Sequence, residues 1–200
     1  MDVANTLWAS CFFSIHFEGS LRFSCSLCYS LPINVDAEKL LRQMHQFLIS
    51  CDLQEGLHAA LPARLLALKE KCRAAFIGSP VQPSASQQQV SDTLRDMGLS
   101  VEDEFECPKS CYSIDMRVQD KCRDLGVGWA IEFDGPSHFF ACKAPTGATL
   151  IKRRHLELLG YILVSMPYWE WDGLSGVDER RKYLEGKLQC HVGVDCAAHS

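Results

Sequence analysis

Past Gly98 the chain changes rhythm, and that change constrains its fold more than any other feature. Val101–Phe105 is a short candidate strand, Tyr112-Ser-Ile-Asp-Met-Arg-Val118 alternates apolar and polar residues, and Trp129-Ala-Ile-Glu-Phe-Asp-Gly135 repeats the alternation. Period-two alternation puts successive side chains on opposite faces of a pleated strand. A helical stripe over Thr149–Leu159 leads through Gly160 into Tyr161-Ile-Leu-Val-Ser-Met-Pro167, a nearly continuous apolar run that predicts a strand buried on both faces. Helices are also expected over Ser86–Met97 and Val177–Leu188. Consecutive strands favour an antiparallel meander, and a crossover helix returns the chain to a parallel partner. The expected fold is an α/β sandwich on a small mixed sheet.

Upstream lies a different kind of segment. Asp36 is a candidate N-cap for a stripe of Leu40, Leu41, Met44, Phe47 and Leu48. Leu65, Leu68, Cys72 and Phe76 form a second stripe, starting after Pro62 and stopping at Gly78 and Pro80. The two form a helical hairpin over 35–78, the candidate end of a helical-repeat array. Residues 79–85 are linker by composition. The sheet domain is placed at 86–190 with its core motifs at 112–188, residues 191–200 are a tail, and residues 1–34 are a leader or irregular segment.

The balance of 20 Lys+Arg against 25 Asp+Glu gives a net charge of −5, with 47% hydrophobic residues. This suits a globular protein and excludes one that holds nucleic acid by bulk charge. Phe105–Cys190 nevertheless carries 12 basic and 12 acidic residues, so the deficit belongs mainly to the N-terminal half. No segment is apolar over the 18–20 or so residues a membrane helix needs, so no membrane insertion is expected. The 11 cysteines, odd in number and scattered, point to mostly free thiols in a reducing compartment. Cys25/Cys28 and Cys190-His191 with Cys196 and His199 have ligand-like spacing, but each is half of a zinc motif.

Alternation puts Ile114 and Met116 on one strand face and Asp115 on the other, and likewise separates Trp129, Ile131 and Phe133 from Glu132 and Asp134. Asp115, Glu132 and Asp134 can therefore converge on one side of a hairpin. Clustered carboxylates need an offsetting cation, which makes them candidate ligands for Mg²⁺. Gly135-Pro-Ser-His138 tightens the strand end into a turn that brings His138 back towards them. Positive charge gathers in Lys152-Arg153-Arg154-His155 and Arg180-Arg181-Lys182, which can track phosphates. Tyr168, Trp169 and Trp171 follow the last strand and can stack on unpaired bases, with one tryptophan expected to close the core instead.

Ile131-Glu-Phe-Asp-Gly-Pro-Ser-His-Phe139, Thr149-Leu-Ile-Lys-Arg-Arg-His-Leu-Glu-Leu-Leu-Gly-Tyr161 and Met166-Pro-Tyr-Trp-Glu-Trp-Asp172 together resemble the RAP domain, an RNA-binding domain abundant in apicomplexans. The resemblance runs from about Tyr112 to Leu188. It implies a restriction-endonuclease-like fold of the PD-(D/E)xK superfamily, preceded by an α-helical segment. Such domains usually close helical-repeat proteins, the FAST kinase-like family among them, that act on mitochondrial or plastid RNA. Carried over residue by residue, Asp115 matches the first acidic position of the nuclease pattern and Glu132 the second. Where a nuclease commonly has lysine stands Asp134, a departure that weighs against cleavage. Lys152, on one helical stripe with Leu156 and Leu159, is the candidate substitute.

The resemblance thus implies an RNA-binding protein of mitochondrial, alternatively plastid, RNA metabolism: RNA processing, stability or rRNA maturation. Its RNA contacts would be His138, Lys152, Arg153, Arg154, Tyr168, Trp169 and Trp171, its target organellar mRNA or rRNA, and its setting a ribonucleoprotein or the ribosome. One alternative is a metal-dependent endoribonuclease with Asp115, Glu132 and Asp134 as Mg²⁺ ligands and Lys152 as base. The other is a protein-docking module.

Overall fold

The structure, a computed structural model, describes residues 38–54, 61, 63–77, 82–119 and 128–192. The expectations for residues 1–34, Asp36, Cys25/Cys28, Cys196/His199 and the side chains of Cys190 and His191 lie outside it. The chain divides into two compact units: residues 1–80 with 108–112 and 147–155, and residues 81–107 with 113–146 and 156–200. No helix of the described residues is long and apolar enough to cross a membrane.

In the first unit α1 (Glu38–Asp52) opens on Glu38, whose carboxylate accepts from Arg42 one turn on at 2.6 Å. Its stripe buries Leu41, Met44, Phe47, Leu48 and Cys51. The expected second helix is two pieces, α2 (Ala63–Leu66) and α3 (Lys69–Phe76). Between them Leu68 N–H bonds Leu65 O at 3.0 Å, a three-residue step, and Cys72 N–H to Leu68 O at 2.9 Å restarts the α-helix. The break keeps Leu65 and Cys72 buried on the same core, which Ile151 completes.

A closed circuit of hydrogen bonds runs through this unit. Gln46 Nε2 donates to Tyr112 Oη at 3.4 Å, and Tyr112 Oη lies 3.0 Å from His155 Nδ1. His155 Nε2 lies 2.7 Å from Ser50 Oγ, which donates back to Gln46 O at 3.0 Å. One proton arrangement satisfies every step: Tyr112 donates to Nδ1, and Nε2–H donates to Ser50. His155 is therefore neutral. Burial first, then the charge of Arg154 and His45, pushes its pKa down to about 3. It adds no charge to the basic run in which the sequence placed it.

In the second unit α4 (Ala85–Asp96) is capped by Ser84, whose Oγ accepts from Gln87 N–H at 3.1 Å. It is stopped at Gly98, with φ +86°. The strands are β1 (Ser100–Glu106), β2 (Ser113–Gln119), β3 (Trp129–Asp134) and β4 (Ile162–Pro167), in spatial order β1-β2-β3-β4. The first three are antiparallel and β3–β4 is parallel. The mixed α/β sheet is as expected, with α5 (Gly147–Leu158) in the β3–β4 connection.

Val90 and Leu94 of α4 join Met116, Val118, Trp129, Ile131, Phe133, Val164 and Met166 in one core. Leu184 and Leu188 of α7 (Val177–Val192) complete it. The strand buried at every position is β3, whereas β4 has Ile162, Leu163, Ser165 and Pro167 half-exposed. The reason is position: β4 is an edge strand and β3 is flanked on both sides. Gly128 sets the entry to β3, with φ +85° and space for a Cβ only 2.5 Å from Val118 O.

Candidate nucleic-acid interface

The chemistry of the second unit gathers where the parallel strands β3 and β4 end, the side of an α/β sheet at which ligands usually bind. On the polar face of the sheet, Asp115 accepts from Phe133 N–H at 2.8 Å. Asp134 is buried, and its Oδ2 accepts from Ser165 Oγ on the neighbouring strand at 2.6 Å. Its Oδ1 lies 3.4 Å from His138 Nδ1. Gly135 and Pro136 start the 3₁₀ turn Pro136–His138 that makes this possible, with His138 N–H to Gly135 O at 3.0 Å. The turn thus returns His138 to the carboxylates as its sequence implied.

The Mg²⁺ expectation does not fit the side chains present. Among the described residues no group of three or more His, Cys, Asp or Glu could hold a metal ion. Two of the three expected ligands are already engaged, an Asp115 oxygen by a backbone N–H of the sheet and Asp134 by Ser165 and His138, and the third, Glu132, is buried in β3. Lys152, Arg153 and Arg154 sit on α5 within the first unit, each half-buried and each with an interaction of its own.

The aromatic residues fare differently. After Pro167, β4 passes into a single helical turn, α6 (Tyr168–Trp171). Trp171 is fully buried in the core of the second unit, with Arg180 Cζ 5.3 Å from its ring centre. It offers no face to a base, which corrects its assignment as an RNA contact and makes it the core-closing tryptophan. Arg181 pairs with Glu185 at 3.2 Å, so of the second basic run Arg180 and Arg181 are engaged structurally. Glu170 ties α6 to α7, accepting from Tyr183 Oη at 2.7 Å and facing Lys187 Nζ at 2.9 Å. Burial and this carboxylate push the Tyr183 phenol far above its ordinary range.

Tyr168 and Trp169 stay half-exposed and meet at 5.2 Å between ring centres, inclined at 80°. Phe139 meets Trp169 at 4.5 Å and 61°. Phe139 and Pro145 pair as an isolated bridge, Phe140 N–H bonds Ala144 O at 2.8 Å, and Lys143 N–H bonds Phe140 O at 2.9 Å. This small hairpin exposes Phe140 and carries Lys143, at φ +60°, over Trp169 with Nζ 4.8 Å from the ring centre. Phe139, Phe140 and Lys143 were missed in the sequence. Their signal was the paired phenylalanines directly after the His138 turn.

Parts of this chain resemble known proteins. A chloroplastic RAP domain-containing protein from Oryza sativa subsp. japonica is 45% identical over 56 residues, covering 28% of this chain and 9% of that protein. The mitochondrial FAST kinase domain-containing protein 3 of Bos taurus is 36% identical over 93 residues, covering 39% of this chain and 14% of its own length. The mitochondrial FAST kinase domain-containing protein 1 of Mus musculus is 43% identical over 44 residues, or 21% of this chain and 5% of that protein. The chain thus spans a small fraction of these relatives, which their names place in mitochondria or the chloroplast. The segment that holds most of β3, the His138 turn, the Phe139–Pro145 hairpin, α5, β4, α6 and most of α7, residues 131–187, matches the RAP domain family.

Proposed function

We propose that this chain binds single-stranded RNA in an organelle, the mitochondrion before the plastid, through the corner built by Phe139, Tyr168, Trp169, Lys143 and His138. Its role is in RNA processing, stability or rRNA maturation within a ribonucleoprotein. The observation that carries this reading is a half-exposed aromatic group with a cation at the ends of two parallel strands. Unpaired bases present apolar faces that stack on such rings, whereas a duplex hides them. The matched family and the organellar relatives support the same reading.

Trp169→Ala tests it. Stacking one base on an aromatic side chain is worth about 1–3 kcal/mol. The variant should therefore bind a labelled single-stranded RNA roughly 5- to 150-fold more weakly, with the salt dependence unchanged because no charge is lost. Wild-type affinity in the variant would overturn the assignment. Crosslinking to RNA inside the organelle would then name the transcript.

A further inference from the structure

We propose that Lys143 is an exchangeable cap: it covers the Trp169 indole in the free protein and moves to the phosphate of the nucleotide whose base replaces it. This rests on the reading of the corner as a single-stranded RNA site and adds how that site admits a nucleotide. The Lys143 ammonium lies over the indole at 4.8 Å, on a ring face that a stacking base would need. Phe139 and Tyr168 meet the same indole at inclinations of 61° and 80°, flanking the ring that Lys143 covers. The lysine is exposed, and its backbone is pinned by the bond from its N–H to Phe140 O. A pinned backbone with a long flexible stem lets the charge swing without unfolding the hairpin.

The exchange runs towards the base. A surface cation–π contact biases an equilibrium roughly two- to fivefold, whereas stacking a base does so by about 5- to 150-fold. The released ammonium then gains a phosphate, which on a single strand adds about 0.7 to the slope of log affinity against log salt. Lys143 is thus a positioning residue that opposes binding in the free state and favours it in the bound one.

Lys143→Ala separates the two effects when affinity for a fluorescein-labelled single-stranded RNA is followed over a salt series. Losing the phosphate contact should make the slope shallower by about 0.7. Losing the cap should raise affinity, so the lines cross: the variant is roughly two- to fourfold weaker near 50 mM salt and equal or tighter near 500 mM. Lys143→Arg keeps the charge and stacks better on indole, so its slope should match the wild type while its affinity falls at every salt concentration. Parallel lines for the wild type and Lys143→Ala, displaced or superposed, would overturn the cap. If Trp169→Ala also binds normally, the RNA reading fails with it; if that variant is weakened, the cap alone fails.

Discussion

Acidification should destabilise the first unit through His155, and the size of the effect follows from its surroundings. The circuit Gln46–Tyr112–His155–Ser50 is satisfied by a neutral imidazole that accepts at Nδ1. A proton there would face the Tyr112 hydroxyl, whose oxygen already accepts from Gln46. The pKa stands near 3 in the folded chain, against 6.5 for an ordinary histidine. Below pH 6.5 the unfolded chain binds a proton that the folded chain refuses. Stability is therefore complete above that pH and falls by about 1.4 kcal/mol per pH unit down to about pH 3. By pH 5 the loss is about 2 kcal/mol, a large share of the roughly 5–15 kcal/mol that holds a domain folded. His45, lowered chiefly by burial, adds to the loss with the same sign. His155→Gln cannot take this proton. It should be less stable at neutral pH by about 1–3 kcal/mol, because Tyr112 loses its acceptor. Between about pH 7 and 5 it should then lose about 2 kcal/mol less than the wild type. The assay is urea unfolding followed by a fixed-pH pulse of thiol reagent, read at the buried thiols Cys51 and Cys72. An equal pH dependence in the two proteins would refute the argument.

Substitutions at two further positions probe the sheet. Gly128→Ala puts a methyl group 2.5 Å from Val118 O at a φ of +85°, so the β2–β3 pair must shift. A loss of about 2–4 kcal/mol in the unfolding free energy is expected, and a neutral result would mean that the strand entry is plastic. Asp115→Ala removes the acceptor of Phe133 N–H at a cost of about 1–3 kcal/mol, and Asp115→Asn, which keeps an acceptor oxygen, should cost less. Neither Mg²⁺ nor EDTA should move the wild-type unfolding midpoint. Stabilisation at millimolar Mg²⁺ would show that the carboxylates do serve a cation.

The order of elements was legible because alternation, helical stripes and glycine stops act locally. Which strand is central is not local. Ile162–Met166 looks like an interior strand by composition, yet it lies on the edge, whereas Glu132 and Asp134 sit in the strand buried throughout. The buried Asp134 is tolerated because Ser165 and His138 meet its two carboxylate oxygens. The turn at His138 was legible from Gly135-Pro136, because proline fixes the backbone there. The hairpin that delivers Lys143 to Trp169 depends on pairing between Phe139 and Pro145, for which no periodic signal exists. The Lys152–Arg154 run shows the same limit from the other side: charge can be counted in a sequence, but its half-burial on α5 cannot.

The electrostatics of the corner are compatible with the proposed RNA site on a domain of balanced charge. A buried carboxylate at the end of β3 would repel phosphate, but Ser165 and His138 cover Asp134, whose side chain is 2% exposed. What lies at the surface is a half-exposed aromatic group and the exposed Lys143. Such a site gains its free energy from stacking, at about 1–3 kcal/mol per base, and little from counterion release. Association costs at least about 4 kcal/mol, so one stacked base cannot hold an RNA alone. In the proposed function the corner therefore reads an unpaired nucleotide on an RNA already held by a larger contact. Linking the two multiplies affinity without any new charge on this domain.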